Sequence, residues 1–291
     1  MTDYNKGLLA ALFCFVFWGF APVYFKLIQS VPALAIIAHR IIWGALFLFI
    51  FLVIREKKNF FTSLKISYTQ LGVLFISGAL VMSNWLVFVW AVNSGQILAT
   101  SLGYFINPLF NILLGVLFLS ETLNKAQKWA LIIASSSTIF LGIYLGQPPW
   151  IALFLASTFG AYGLVRKKLN VRPLIGLFWE TLIFLSPALI YLIYFAPPIA
   201  LDENTNQLKG LLVLAGLVTV LPLVGFNYAT KRLPLSIIGF LQYLGPTISF
   251  IIAVSYYGET FSLGHKIAFS GIWIALIIVS WKPFRNLVKR K

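Results

Sequence analysis

Apolar runs succeed one another along nearly the whole of this chain, at about 7–28, 34–54, 69–92, 97–119, 125–145, 150–168, 174–195, 209–230, 235–257 and 264–281. Most reach the ~20 residues that a helix needs to cross a ~30 Å hydrocarbon core. Inside that core every backbone N–H and C=O must be bonded within the protein, so an isolated run of this length takes the form of a helix. The composition leaves no other solvent. The 291 residues are 60% hydrophobic and 10% charged, whereas soluble domains carry roughly a quarter charged residues. The mean hydropathy is +0.93. The chain is therefore expected to be an all-α integral membrane protein with ten transmembrane helices. The first run follows Lys6 as a signal peptide would, but it continues to about Ile28 without a small-residue cleavage pattern and is read as a span.

A net charge of +15 would suggest nucleic acid in a soluble protein. Here the basic residues lie in short loops between the runs. With the N terminus inside, one face receives Lys6, Arg55, Lys57, Lys58, Lys65, Lys125, Lys128, Arg166, Lys167, Lys168, Arg172, Lys231 and Arg232, and the tail adds Lys282, Arg285, Lys289, Arg290 and Lys291. Lys26, Lys209 and Lys266 fall on the other face, and Arg40 lies within a run. That bias predicts both termini in the cytoplasm, with the basic loops against anionic lipid headgroups rather than nucleic acid. The acidic loop Leu201 to Gln207 falls outside. A single cysteine, Cys14, excludes an intramolecular disulfide. No clustered ligands imply a metal, and no cofactor is expected. The chain has no GxxxxGK[ST], HExxH or GxSxG pattern, and its two histidines lie far apart, which argues against an ATPase or an intramembrane enzyme.

The chain also resembles itself. Pro108 to Thr122 overlays Pro246 to Thr260 without a gap, keeping Pro, Val, Glu and Thr in register at a shift of 138. The same shift sets Ala91 on Ala229, Lys128 on Lys266 and Ala130 on Ala268. Shifts of 140 and 141 set Arg40 on Glu180 and Gly19 on Gly160. The halves are thus 7–146 and 150–281, followed by a basic cytoplasmic tail at 282–291. Each holds five runs, and an odd number inverts the second copy relative to the first. Inverted repeats are the usual architecture of secondary transporters, with the solute site near the midplane between the copies.

WGFAPVYFKL, AHRIIWG, SNWLVFVWAVN, LGYFINPLFNILLGVLFLSE, GLVRKK and LQYLGPTISFIIAVSYYGE occur in this order along nearly all of the chain. As a set they resemble the RarD branch of the EamA-type drug/metabolite transporter superfamily. The resemblance implies ten helices in two inverted five-helix units, a bacterial-type inner membrane, and movement of small metabolites or drugs, often outward.

Charges at bilayer depth cost ~2.5–3.5 kcal/mol at a helix centre and normally face a cavity or a partner. Arg40, beside His39, lies about two turns from the outer end of the second run. Glu180 lies about two turns from the inner end of the seventh, with no cation near it in sequence. Their axial gap of ~10 Å exceeds a direct ion pair. Asn84 and Trp85 in the third run and Tyr104, Asn107 and Asn111 in the fourth form a polar-aromatic set, and the last three share one helix face. Gln242 and Tyr243 precede Pro246, and Pro108 is its counterpart. Either proline can kink its helix beside polar groups that line a cavity. His39, Arg40, Glu180 and this set are the candidate solute or gating residues, with Glu180 the favoured candidate proton carrier and His39 a second one.

Other polar groups have local explanations. Glu121 and Glu259 precede helices that Asn124 and Ser262 should cap with Gln127 and His265, and they are read as structural. Trp129, Trp150 and Trp281 suit interfacial belts, while Trp18, Trp43, Trp85 and Trp90 lie deeper. Gly72, Gly78, Gly115, Gly142, Gly216 and Gly239 suit close helix contact. The expected function is secondary transport, the export of a small organic solute by alternating access with proton coupling. A passive facilitator or a non-transporting scaffold is the alternative. Small-molecule solute, protons and membrane lipid are the expected partners.

Overall fold

The computed structural model describes residues 3–119, 122–198, 206–230, 232–233 and 241–288. Glu121, Gly239, the side chain of Trp281 and most of the 201–207 loop lie outside the described residues. The described chain is helical nearly throughout: α1 (Asp3–Gly19), α2 (Ala21–Leu27), α3 (Ala33–Glu56), α4 (Phe60–Ser63), α5 (Tyr68–Asn93), α6 (Ile97–Leu119), α7 (Lys125–Leu145), α8 (Trp150–Lys168), α9 (Pro173–Ile183), α10 (Leu185–Tyr194), α11 (Asn206–Thr230), α12 (Leu244–Ile251) and α13 (Leu263–Val288). Among the described residues six helices are long and apolar enough to cross a membrane, or seven if the pair α1 and α2, bent by 42°, forms one span. Trp150–Arg166, Leu244–Tyr256 and Leu263–Ile278 are shorter apolar helices.

The first and seventh runs are broken where continuous helices were expected. The breaks fall at Phe20 and Phe184, and a third falls at Tyr243. Each stands two or three residues before a proline (Pro22, Pro187, Pro246). Proline has no N–H to give to the carbonyl four residues back, so a helix interrupted there forfeits little. Pro108 behaves differently, lying inside a continuous α6.

Sequence-local signals set the ends. The Asn124 side chain accepts from Gln127 N–H at 2.9 Å, and the Gln127 side chain accepts from Asn124 N–H at 3.0 Å. Gly146 ends the same helix at φ 70°, a conformation that glycine adopts without strain. Ser262 Oγ lies 2.8 Å from His265 Nδ1 and accepts from His265 N–H at 3.4 Å. Ser67 and Gln70 make a further reciprocal cap on α5, which the sequence reading passed over.

The helices pack in an interleaved order. α8 lies against α5 and α6, α11 lies against α1 and α3, α12 touches α1 and α6, and α13 pairs with α7. Glycine lets two of these contacts close tightly. Gly216 on α11 faces the Trp43–Gly44 backbone of α3, and Gly78 on α5 faces the Phe184 ring. Gly72 faces open space instead. α7 is the least enclosed of the spanning helices. Its outward Trp129, Ile132, Ile139 and Ile143 form an apolar face suited to lipid.

Candidate functional site

Among the described residues two charged side chains, Arg40 and Glu180, are buried within the bundle, and each has its own cluster. Arg40 is 7% exposed on α3. Its Nε donates to Thr219 Oγ1 on α11 at 3.0 Å. Its guanidinium carbon stands 4.4 Å from the centre of the Trp85 ring and 5.2 Å from that of Phe25. Such stacking is favourable for a desolvated guanidinium. Tyr24 and Tyr104 are its electrostatic neighbours. Tyr24 donates its hydroxyl to the Leu211 carbonyl at 2.6 Å, and Tyr104 donates to Asn84 Oδ1 at 3.2 Å. Among the described residues Arg40 Nη1 is buried without a hydrogen-bond partner.

Glu180 on α9 is fully buried. The sequence reading left it without a cation, and the structure supplies one. Arg166 Nη1 lies 3.5 Å from Glu180 Oε1. Ser77 donates its hydroxyl to the same oxygen, and Tyr162 donates to Oε2 at 3.4 Å. Arg166 Nη2 also donates to the Pro173 carbonyl at 3.0 Å. The Arg166 head crosses the α9 backbone at Gly176, where a Cβ would overlap the guanidinium. Arg40 and Glu180 therefore do not pair, because each is held by a different helix.

The polar-aromatic set divides. Asn84 is fully buried, and its amide donates to the Leu155 carbonyl and to Thr158 Oγ1, both at 2.9 Å. Asn107, also fully buried, donates to the Ala156 carbonyl at 3.1 Å and accepts from Asn111 Nδ2 at 3.1 Å. These amides pin α5 and α6 to α8, and their donors are occupied by the protein itself. Asn111 is exposed. Tyr104 and Trp85 are half-buried beside Arg40, whereas His39, the next residue on α3, is half-buried on a different face. Tyr243 stacks on Phe105 with ring centres 6.4 Å apart, and Gln242 is half-buried ahead of it. Sequence reasoning missed Phe25, Thr219, Ser77, Tyr162 and Arg166. The available signal for Arg166 was Gly176, one turn before Glu180.

At the end of the bundle that carries Lys26, Glu259 plays a part not foreseen. Its two carboxylate oxygens accept from Ile97 N–H and Leu98 N–H, each at 2.7 Å. It thus caps α6, in the opposite half, rather than serving the start of α13. Burial raises its pKa, while the Leu98 and Ile97 N–H groups and Lys26 pull it down. Glu259, Lys26, Gln96, Gln147 and His265 are among the residues lining a pocket of about 530 Å³ there. Among the described residues no group of three His, Cys, Asp or Glu is placed to hold a metal.

Comparison with known proteins agrees with this architecture. The EamA-like transporter family matches residues 5–143 and again 148–281. Protein RarD of Escherichia coli is 42% identical over 94% of this chain and 93% of its own. The uncharacterized transporter YojE of Bacillus subtilis is 42% identical over 97% of both. The chloramphenicol-sensitive protein RarD of Pseudomonas aeruginosa is 26% identical over 98% of this chain and 97% of its own. A crystal structure 16% identical in sequence superposes with a TM-score of 0.64 over 95% of this chain and 98% of that one, a likeness of fold. With apolar helices throughout, two matches to one family and full-length relatives named as transporters, the chain belongs to the EamA-like transporter family, in its RarD branch, and is a multi-pass membrane transporter rather than an enzyme.

Proposed function

We propose that this protein is a secondary transporter that exports a small organic solute across the inner membrane by alternating access. It has ten spans in two inverted halves and both termini in the cytoplasm. The observation that carries the reading is the way repeat-equivalent helices meet. Along α6 from Ser101 to Phe105, contacts on the partner run back from Pro246 to Tyr243. Along α7 from Ser137 to Tyr144, contacts on α13 run back from Gly271 to Gly264. Equivalent helices thus lie antiparallel, as inversion requires.

Pairings between different helices support the same reading. Gly19 faces Ile248 and Gly160 faces Phe110. These are equivalent pairs under the sequence shifts of 141 and 138. Gly78 faces Phe184 and Glu180, while Gly216 faces Trp43 and Gly44, again as counterparts. The charged clusters follow suit, since the shift of 141 sets Phe25 on Arg166. The ring that stacks on Arg40 in one half is replaced in the other by the cation that pairs with Glu180. Counting α1 with α2 as one span and α9 with α10 as another, the three shorter apolar helices complete ten.

In this reading each half alternately opens one end of the site. The Glu259 cap joins the halves at the Lys26 end, and the Arg166–Glu180 pair joins α8 to α9 on the opposite side of the midplane. Proton coupling assigns the proton to Glu180. A neutral carboxyl holds Arg166 less strongly, so protonation would loosen that closure. The test is solute counterflow in proteoliposomes with and without an imposed pH gradient, for wild type and Glu180→Gln. Gradient stimulation of wild type alone is expected. Equal stimulation of both removes Glu180 from coupling, and no exchange of phenylalanine, 3-phenylpropionate or chloramphenicol by folded protein counts against transport of such solutes.

A further inference from the structure

We propose that Arg40 is the recognition point for the carboxylate of a small apolar or aromatic monocarboxylate. The inference deepens the transporter reading by naming a solute class for its site, and it rests on that reading. A guanidinium keeps its charge when buried, and a charge at this depth is costly unless it is paired. Arg40 is 93% enclosed, with Nε bonded to Thr219 and Nη1 to no described residue.

The protein offers no counter-anion from the described residues. Asp3 pairs with Lys6, Glu56 with Arg172, Glu180 with Arg166, and Glu259 caps α6. The two tyrosines beside Arg40 donate their hydroxyl hydrogens to Leu211 and Asn84, so they are neutral phenols and supply no negative charge. What remains is Nη1, an N–H donor on a planar guanidinium covered by rings and left for an acceptor. A carboxylate matches that donor in geometry and charge.

The class narrows further. Among the described residues Arg40 is the one charged group in its cluster, which suits one negative charge and leaves a dianion half-neutralised. An ammonium group on the same solute would find no described carboxylate at liberty, which disfavours amino acids. The surroundings are Phe25, Phe88, Trp85 and Tyr104, with Phe25–Phe88 and Phe88–Tyr104 centroids 5.9 Å and 5.8 Å apart. These rings suit an apolar or aromatic remainder. The pocket beside Glu259 is not lined by Arg40, so entry belongs to a conformation in which that end has parted.

The test uses three ligands on one skeleton with the full-length protein in nanodiscs: 3-phenylpropionate, its amide, and phenylalanine. Isothermal titration should find the acid binding at least about tenfold more tightly than the other two, and Arg40→Met should weaken the acid by at least about tenfold while leaving the amide unchanged. The amide binding as well as the acid, phenylalanine binding more tightly, or heat from none of the three would each overturn the proposal. If Arg40→Met does not fold, the wild-type series alone decides. Binding that requires Arg40 without any counterflow would sink the transport mechanism and leave the site. Counterflow of the acid indifferent to Arg40→Met would sink the site and leave the transporter.

Discussion

Gly216 gives the sharpest test of how closely the helices approach. A Cβ built there stands 2.6 Å from the Trp43 carbonyl carbon and Cβ and 2.7 Å from Gly44 N. Ordinary contact begins near 3.4 Å, so α11 and α3 would have to part by roughly 0.8 Å, and backbone atoms cannot turn aside as a side-chain tip can. Overpacking of this kind costs about 1–3 kcal/mol. Gly225 on the same helix is the control, because its Cβ would meet Ala10, Phe13 and Cys14 atoms at 3.4–3.6 Å. Both changes to alanine gain the same helix propensity, about 1 kcal/mol, so the difference between the variants isolates the overpacking at about 1–3 kcal/mol. Cys14 is the one cysteine of the chain and is fully buried, so a thiol-reactive dye in a denaturant or thermal titration reports unfolding directly. Gly216→Ala should unfold earlier than wild type and Gly225→Ala at or beyond it. Equal midpoints, or the reverse order, would refute the close approach of α11 to α3.

Removing one member of the Arg166–Glu180 pair should cost more than removing both. Arg166→Leu alone is expected to destabilise by about 3–5 kcal/mol, because it strands a buried carboxylate, and Arg166→Leu/Glu180→Leu by less; additive losses in the same dye assay would show that the pair is not coupled. The Glu259 carboxyl, its pKa raised by burial, binds its proton more tightly folded than unfolded. Its contribution is complete below the ordinary carboxyl value of 4.5 and is lost as pH rises through the higher folded value. Wild type should therefore lose stability relative to Glu259→Gln as pH climbs through that window, and a difference that stays flat with pH would contradict the assignment.

The apolar runs told where helices form because in lipid an unpaired backbone has no alternative, and Asn124 with Gln127 fixed an end that sequence alone could place. The breaks at Phe20 and Phe184 were less legible, since a proline such as Pro22 or Pro187 can equally sit inside a helix that continues, as Pro108 does in α6. Asn84 and Asn107 read as cavity residues because polarity at depth signals either a ligand or a neighbouring helix. Only three dimensions reveal the Leu155 and Ala156 carbonyls that take their hydrogens. Arg166 escaped notice because the charge bias that orients helices assigned it to a headgroup layer. Its side chain is 14% exposed and turns inward over Gly176. Glu259 was rightly tied to a helix dipole but to the wrong helix, a long-range choice that no local pattern encodes.

The central claim is that two oppositely oriented halves expose one interior site to each side of the membrane in turn. The direct measurement is two-sided labelling of Tyr104→Cys and Tyr243→Cys in a Cys14→Ala background, with a membrane-impermeant thiol reagent applied to right-side-out and inside-out vesicles. Alternating access predicts labelling of both positions from either side, slowed by a bound solute. Protection of both from both sides in correctly folded protein would contradict it.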